Sequence, residues 1–474
     1  MRGLLTSCMF VGAMLTAQAQ EVLSLDSCRA MALRNNKQLN VSRLKQKVAG
    51  NTRKAARTKY LPKLDVAAGY AYTTKEVSLL SNEQQHTLNH LGDMLASAMT
   101  GAGGGMLDQL APMVGQVGNK MGAAVTDAFQ TDTKHLWTGA VMVHQPLYMG
   151  GAIVAANKMA DVSVQMAATE LNQKKQATLY EVDQAYWLVV SLCQKKKLAQ
   201  SYTALVRKLH EDVQKMIKQG VATKADGLKV DVKVNEAEMQ LLQVENGLSL
   251  ARMALCQLCG LPMDREVSLA DEKAEQTTSN LVADCDIEAV TYEQRPELQL
   301  LGQMVELSQQ ATRLVKAAYL PHVMLTGGYL LSNPNVFDGF QRKFGGVWNV
   351  GVMVQIPVWN WQEGTYKVRA SKLNTTMAML ELDDVREKVE LQVAQGRFQL
   401  KEAFKRYNMA THNMQSAEEN LRCANLGFKE GVMGLTEVME AQTAWQQAQS
   451  QRIDAEVAVN ISRVNLKKAL GILN

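Results

Sequence analysis

The chain has 474 residues, about three times the ~150 of a typical domain, and 47% of them are hydrophobic, ample for a core and too many for a disordered chain. Aromatics at 5% and only 8 prolines disfavour a turn-rich all-β sandwich, and 51 Lys+Arg against 46 Asp+Glu leave +5, too near balance for a nucleic-acid partner. No apolar run of about 18 residues follows the N-terminus, which excludes a transmembrane helix but not a transmembrane β-barrel, whose strands carry a weaker signal.

Met1-Arg2-Gly3 is a short basic start, Leu4 to Leu15 is largely apolar, and Ala17-Gln18-Ala19 fits small-x-small cleavage. Residues 1–19 therefore read as a secretory signal peptide. A lipid anchor at Cys8 is disfavoured, because too few apolar residues precede Leu5-Thr6-Ser7-Cys8. A helix is expected over 26–58, with Asp26 near its start and Leu61-Pro62 stopping it. Strands are expected at 64–73 and 137–145, about ten residues each, the length that crosses a bilayer when tilted. Between them lies an inserted loop, 75–135. Leu88, Leu91 and Leu95 precede its Gly101-Ala102-Gly103-Gly104-Gly105 run, and Leu107, Leu110, Val114, Val117 and Met121 follow at helical spacing, so a short helical hairpin is expected. Met94, Met99, Met106, Met113 and Met121 are too spread to converge on a soft metal, and His86-x3-His90 lacks a third ligand.

Pro146 reads as the end of the second strand, Gly150-Gly151 follow, and no further proline occurs before Gly220, leaving room for about 100 Å of helix. After that turn Val230, Val234, Ala237, Leu241, Val244, Leu248, Ala251, Leu255 and Leu258 step alternately by four and three, a heptad seam. The result is a helical hairpin over 151–260. Cys256-x-x-Cys259 has no partner residues nearby in sequence, so it reads as half-buried packing rather than a redox or metal pair.

The chain is written twice. Tyr60-Leu61-Pro62 and Gly69-Tyr70 return as Tyr319-Leu320-Pro321 and Gly328-Tyr329, an offset of 319 − 60 = 259. Trp137, Val141, Pro146, Gly220-Val221 and Gly260 return as Trp348, Val352, Pro357, Gly431-Val432 and Gly471, an offset of 348 − 137 = 211. The difference, 259 − 211 = 48, is one insertion between Tyr70 and Trp137. The first repeat is thus 20–262, a linker 263–284, and the second repeat 285–474, with strands at 323–331 and 347–356 and a hairpin at 362–471. The second seam (Ala441, Trp445, Ala448, Arg452, Ala455, Val459) is less regular.

The whole mature chain resembles the outer membrane efflux proteins of the TolC-like family. The likeness rests on Leu23-Ser24-Leu25, on Ala-x4-Leu-Pro at Ala56–Pro62, and on Arg295-Pro296-Glu297-Leu298. It rests also on Pro146 and Pro357 and on the Gly-Val turns at 220 and 431. The resemblance implies a mainly α fold with a small transmembrane β portion, closed by a homotrimer into a twelve-stranded β-barrel on an α-helical barrel. Two strands per repeat cannot seal a barrel within one chain, since about eight is the practical minimum. It also implies residence in the outer membrane, reaching into the periplasm, with outer-membrane lipid, a periplasmic adaptor and an inner-membrane pump of the RND or ABC type as partners. No catalysis, cofactor or metal is implied.

By that resemblance Gly220, Val221, Asp226, Gly431 and Val432 form the adaptor-contacting turns at the periplasmic tip. Glu437 and Glu440, three apart on one helix face, line the pore constriction, and Phe428 narrows it by packing. Pro146 and Pro357 mark the strand–helix transitions. Rings of carboxylates would favour cations. Two of the acids also have a simpler role: Thr223-x-x-Asp226 is a capping box, the reading favoured for Asp226, and Glu437 suits a helix's first turn, while Glu440 lies a turn deeper and leans towards the pore. Met433 stands where some relatives carry a basic residue, which argues against a charge-paired latch. Two other functions are weighed: a non-conducting periplasmic coiled-coil protein bridging envelope layers, which leaves the strands unexplained, and a redox enzyme at Cys256 and Cys259, whose repeat positions are Lys467 and Leu470.

Overall fold

The computed structural model describes residues 22–74, 77–78, 80–101, 107–131, 134–272, 292–338 and 341–473. The expected leader at 1–19, the Gly-rich turn at 102–105 and linker residues 273–284 lie outside them. The first repeat holds β1 (Val22–Leu23), α1 (Leu25–Asn35), α2 (Lys37–Arg57), β2 (Lys63–Tyr72), β3 (Val77–Ser78), α3 (Asn82–Asn89), α4 (Leu91–Gly101) and α5 (Leu107–Ala128). It continues through β4 (Gln130–Thr131), β5 (His135–Met149) and α6 (Ala152–Lys218) to α7 (Lys224–Cys259), and β6 (Ser268–Leu269) follows in the linker. The second holds α8 (Pro296–Ala317), β7 (His322–Asn333), β8 (Gly345–Gln355), α9 (Glu363–Lys429) and α10 (Leu435–Ala469). Both α6 and α9 are 67 residues long, several times the ordinary helix.

The chain divides into two compact units. The sheet unit comprises Thr52–Ala160 and Gln309–Lys372. Its four-stranded antiparallel sheet runs β2-β5-β7-β8, leaving β2 and β8 as the edges. Lys63 pairs with His144 and His322 with Gln355. Adding 259 and 211 to the first pair gives the second, so the duplication reaches hydrogen-bond register. Tyr70 on Trp137 and Tyr329 on Trp348 repeat the same ring contact, at 4.6 and 5.1 Å between centroids. Every residue of β2 is exposed. In the inserted segment α5 packs tightly on α3 and α4: a Cβ on Gly122 would lie 1.7 Å from the Leu88 carbonyl oxygen.

Pro146 does not end its strand. β5 runs on to Met149, with a register shift between Pro146 and Tyr148 against β7. The last β5 residue paired with β2 is His144, so Pro146 sits where one flank of the strand carries no ladder and a missing N–H is tolerated. Pro357 does lie beyond β8, which closes at Gln355.

The helical unit comprises Met1–Asn51, Asp161–Ser308 and Leu373–Asn474. Where one helix over 26–58 is expected there are two, separated at Asn36, whose ψ of 122° is extended. The Asn36 side chain accepts from the Leu39 N–H at 3.1 Å and so caps α2, a local bond that competes with helix continuation. Ser24 caps α1 in the same way, accepting from Ser27 N. The seam of α7 is inward throughout: Val230, Ala237, Leu248, Ala251 and Leu255 are buried and the remaining seam residues half-buried. α6 also meets α10, through Leu179 against Val464 and a Lys195–Asp454 ion pair at 2.6 Å.

Candidate functional site

The expected tip residues lie at the two turns joining the long helices. At the first, Gly220 is left-handed (φ 74°), its N–H bonds the Ile217 carbonyl at 3.0 Å and the Val221 N–H bonds that of Met216 at 2.9 Å. At the second, Gly431 (φ 73°) bonds Phe428 at 3.2 Å and Val432 bonds Gly427 at 2.8 Å. Both are Schellman closures, in which a positive-φ glycine satisfies the last helical carbonyls. Gly260 and Gly471 end the returning helices with the same pair of bonds. Val221 and Val432 stand out from the turns, 69% and 82% exposed.

Beyond the glycine the two turns differ. In the first, the Thr223 hydroxyl accepts from Asp226 N at 3.2 Å, Thr223 N donates to the Asp226 carboxylate at 3.2 Å, and the hydroxyl donates to it at 2.6 Å. Those bonds, the hydroxyl's first, hold the Asp226 carboxyl below its ordinary range, with Lys229 adding at 3.4 Å. Asp226 is thus committed to its own helix. In the second turn Gly434 stands where Thr223 would be, and no side chain caps α10. Glu437 folds back towards that glycine: a Cβ there would lie 2.7 Å from its Oε2. Glu437 and Glu440 are both exposed, and Phe428 is half-buried against a cluster that includes Ala424, Val438 and Ala441. Met433 lies over Gly427 and is itself exposed.

At the strand–helix junctions the repeats again correspond. Gly150 and Gly151 have φ of 61° and 87°, and Trp361 and Gln362, 211 positions on, have 48° and 60°. The second junction thus keeps a left-handed pair without glycine. Trp359 and Trp361 meet edge to face at 5.8 Å and are 69% and 83% exposed.

Several contacts escape sequence reasoning. Arg29 makes a two-pronged bond to Asp183, at 2.7 and 2.6 Å, and the Asp183 side chain is fully buried. Tyr186, also fully buried, donates to Asp271 at 2.6 Å. Cys256 and Cys259 are 1% and 0% exposed, deeper than half-buried, and Cys28 lies beside them. Among the described residues no cluster of His, Cys, Asp or Glu is arranged to hold a metal ion. His90 instead pairs with Asp93 at 3.0 Å.

A sequence profile described as "Outer membrane efflux protein" matches residues 29–261 and 290–472. No curated protein matches the chain. Among solved structures the chain is similar to the Campylobacter jejuni CmeC outer membrane channel (14% identity, TM-score 0.72, covering 94% of this chain and 85% of that one). It is similar also to the outer membrane protein VceC of Vibrio cholerae (15%, 0.71, 94% and 96%). A third is the open state of the Neisseria gonorrhoeae MtrE outer membrane channel (16%, 0.69, 94% and 88%).

Proposed function

The chain belongs to the outer membrane efflux protein family, and we propose that it is the outer-membrane exit duct of a multi-component efflux or type I secretion system. In this reading it is a passive channel, opened at its periplasmic tip by an adaptor and an inner-membrane pump of the RND or ABC type, with Glu437 and Glu440 lining the constriction and Phe428 packing behind them. Pump-driven transport needs no catalytic residue or cofactor in the duct.

The observation that carries this reading is the four-stranded sheet whose two edges, β2 and β8, have no partner strand among the described residues. Lipid leaves no partner for bare backbone, so a sheet in a membrane must close, and four strands are about half the smallest closed barrel. Further copies of the chain supply the rest, as a homotrimer. The repeat also gives the register of the seam. Within the chain, the first repeat joins the second through Val141 opposite Tyr329 and Met142 opposite Gly328. Moving β5 forward by 211 and β7 back by 259 sets Val352 opposite Tyr70 of the partner subunit, and Met353 opposite Gly69 of the partner subunit. In the helical unit the α6–α10 contact transforms to α9 against the partner's α7. Both helices carry exposed apolar side chains, among them Leu373, Met377 and Leu380 on α9 and Val232, Met239 and Leu242 on α7.

Cysteine pairs placed in a Cys423→Ser background test the seam: Val352→Cys with Tyr70→Cys, and Met353→Cys with Gly69→Cys. Directly opposed residues come within disulfide reach in one of the two alternating pair types. Oxidation is expected to link subunits through at least one pair. Val352→Cys with Ala71→Cys, slipped by one residue, is expected to stay unlinked because its side chains face opposite sides. Linkage of the slipped pair alone overturns the register. Steady conductance of the purified oligomer in a planar bilayer supports the duct, and its absence overturns it.

A further inference from the structure

Proteins that reach the periplasm meet an oxidising compartment, where thiols brought together by folding become disulfides. Five cysteines lie among the described residues as free thiols: Cys28, Cys193, Cys256, Cys259 and Cys423. Cys28 sits in the first turn of α1 and Cys259 is the last residue of α7. Both have no exposed surface. The Cys259 Sγ lies 3.7 Å from the Cys28 carbonyl oxygen, and the two thiols are themselves in hydrogen-bonding contact. That contact favours ionisation of Cys28, while contact and burial together push Cys259 far up.

The backbone around the pair is pinned from three directions. Asn35 Nδ2 donates to the Cys259 carbonyl at 3.2 Å. A Cβ on Gly260 would lie 2.5 Å from that of Asn35, so the end of α1 rests on the cap of α7. Just before α1, Val22 and Leu23 pair with Ser268 and Leu269. Two other described cysteines are engaged elsewhere: Cys256 Sγ is 3.8 Å from the Arg265 carbonyl and Cys193 is 3.9 Å from an Arg252 nitrogen. Cys256 also sits one turn earlier on the same helix as Cys259.

We infer that Cys28 and Cys259 are joined as a disulfide in the exported protein, stapling the N-terminal helix to the end of the first long hairpin across 231 positions of sequence. The oxidant is a disulfide of the exported compartment, R–S–S–R, carried by a dithiol oxidase or a small thiol. The Cys28 thiolate attacks one of its sulfurs, forming a Cys28–S–S–R bond and releasing RS⁻. The Cys259 thiolate then attacks the Cys28 sulfur and releases the second RS⁻. The two protons lost by the cysteines end on the two released thiols, and the pair's two electrons reduce the oxidant. Because both sulfurs are fully buried once α1 is seated, the exchange belongs to folding after export.

Peptide mapping of the full chain, extracted from the outer membrane without reductant and alkylated while denatured, tests this. The expected result is a Cys28 peptide bonded to the Cys259 peptide, two hydrogens lighter than the sum, with Cys193, Cys256 and Cys423 alkylated. Alkylation of both Cys28 and Cys259, or a bond from either to any other cysteine, overturns the inference. Reductant is expected to lower the thermal midpoint of the native chain and to leave a Cys28→Ser/Cys259→Ser variant unmoved. An equal fall in both would also overturn it.

Discussion

Four glycines end the four long helices with nearly identical backbones, φ 72° to 74°, yet alanine meets three different environments across them. At Gly220 and Gly431 an added Cβ finds nothing within 4 Å, so the whole cost is the left-handed conformation itself, about 1–2 kcal/mol for a residue with a Cβ. At Gly471 the Cβ would lie 3.0 Å from Arg295 Cγ and 3.2 Å from its Cα. At Gly260 it would lie 2.5 Å from Asn35 Cβ, a contact that forces α1 to shift and adds about 1–3 kcal/mol of overpacking. The expected order of destabilisation is Gly220→Ala equal to Gly431→Ala, then Gly471→Ala, then Gly260→Ala. Hydrogen–deuterium exchange over the two tip turns reads the first two as about a 5–30-fold rise in local opening. The thermal midpoint of the detergent-extracted protein reads the last two. If Gly220→Ala costs as much as Gly260→Ala, or the two tip variants differ by more than about 1 kcal/mol, the separation into backbone and contact costs is wrong.

Other substitutions probe the remaining elements. The Asp226 carboxyl is held low by Thr223, so its contribution to the first turn is complete above the unfolded carboxyl value and disappears as pH falls through the lower folded one. Asp226→Asn is expected to abolish that loss below about pH 4, as read by exchange at the turn. Arg29→Met leaves the buried Asp183 carboxylate without its guanidinium and is expected to cost about 3–5 kcal/mol in denaturant unfolding, much of it recovered in Arg29→Met/Asp183→Leu. Recovery of nothing would show that the pair is not the source of the loss. Glu437→Gln/Glu440→Gln is expected to weaken cation preference in bilayer recordings with little change in stability, since both side chains are exposed. Unaltered reversal potentials would remove those carboxylates from the constriction.

Much of the fold was legible because glycine and proline punctuate it and because it is repeated. Gly220, Gly431, Gly260 and Gly471 lie where positive φ is required, and the seam from Val230 to Leu258 turns inward as its spacing implies. What stayed hidden depends on partners or on exceptions to local preference. Asn36 breaks a helix through one side-chain bond. Pro146 continues a strand because its flank is unpaired beyond His144. Trp361 and Gln362 hold left-handed backbone where residue type argues against it. Arg29 meets Asp183 across 154 positions, a separation at which no local pattern exists to be read. At the tip, spacing alone placed Asp226 and Glu437 in equivalent positions. The structure separates them through a single difference in the residue three places earlier, threonine against glycine.

The shared register of β2 with β5 and of β7 with β8 has a consequence for engineering. A gene cut in half, encoding one repeat alone, carries both kinds of sheet edge and both kinds of open helix face. In the trimer proposed above, six such half-length polypeptides would take the places of three full ones, giving a homohexamer in which a pseudo-symmetric ring becomes a truly symmetric one, with every tip carrying the same chemistry.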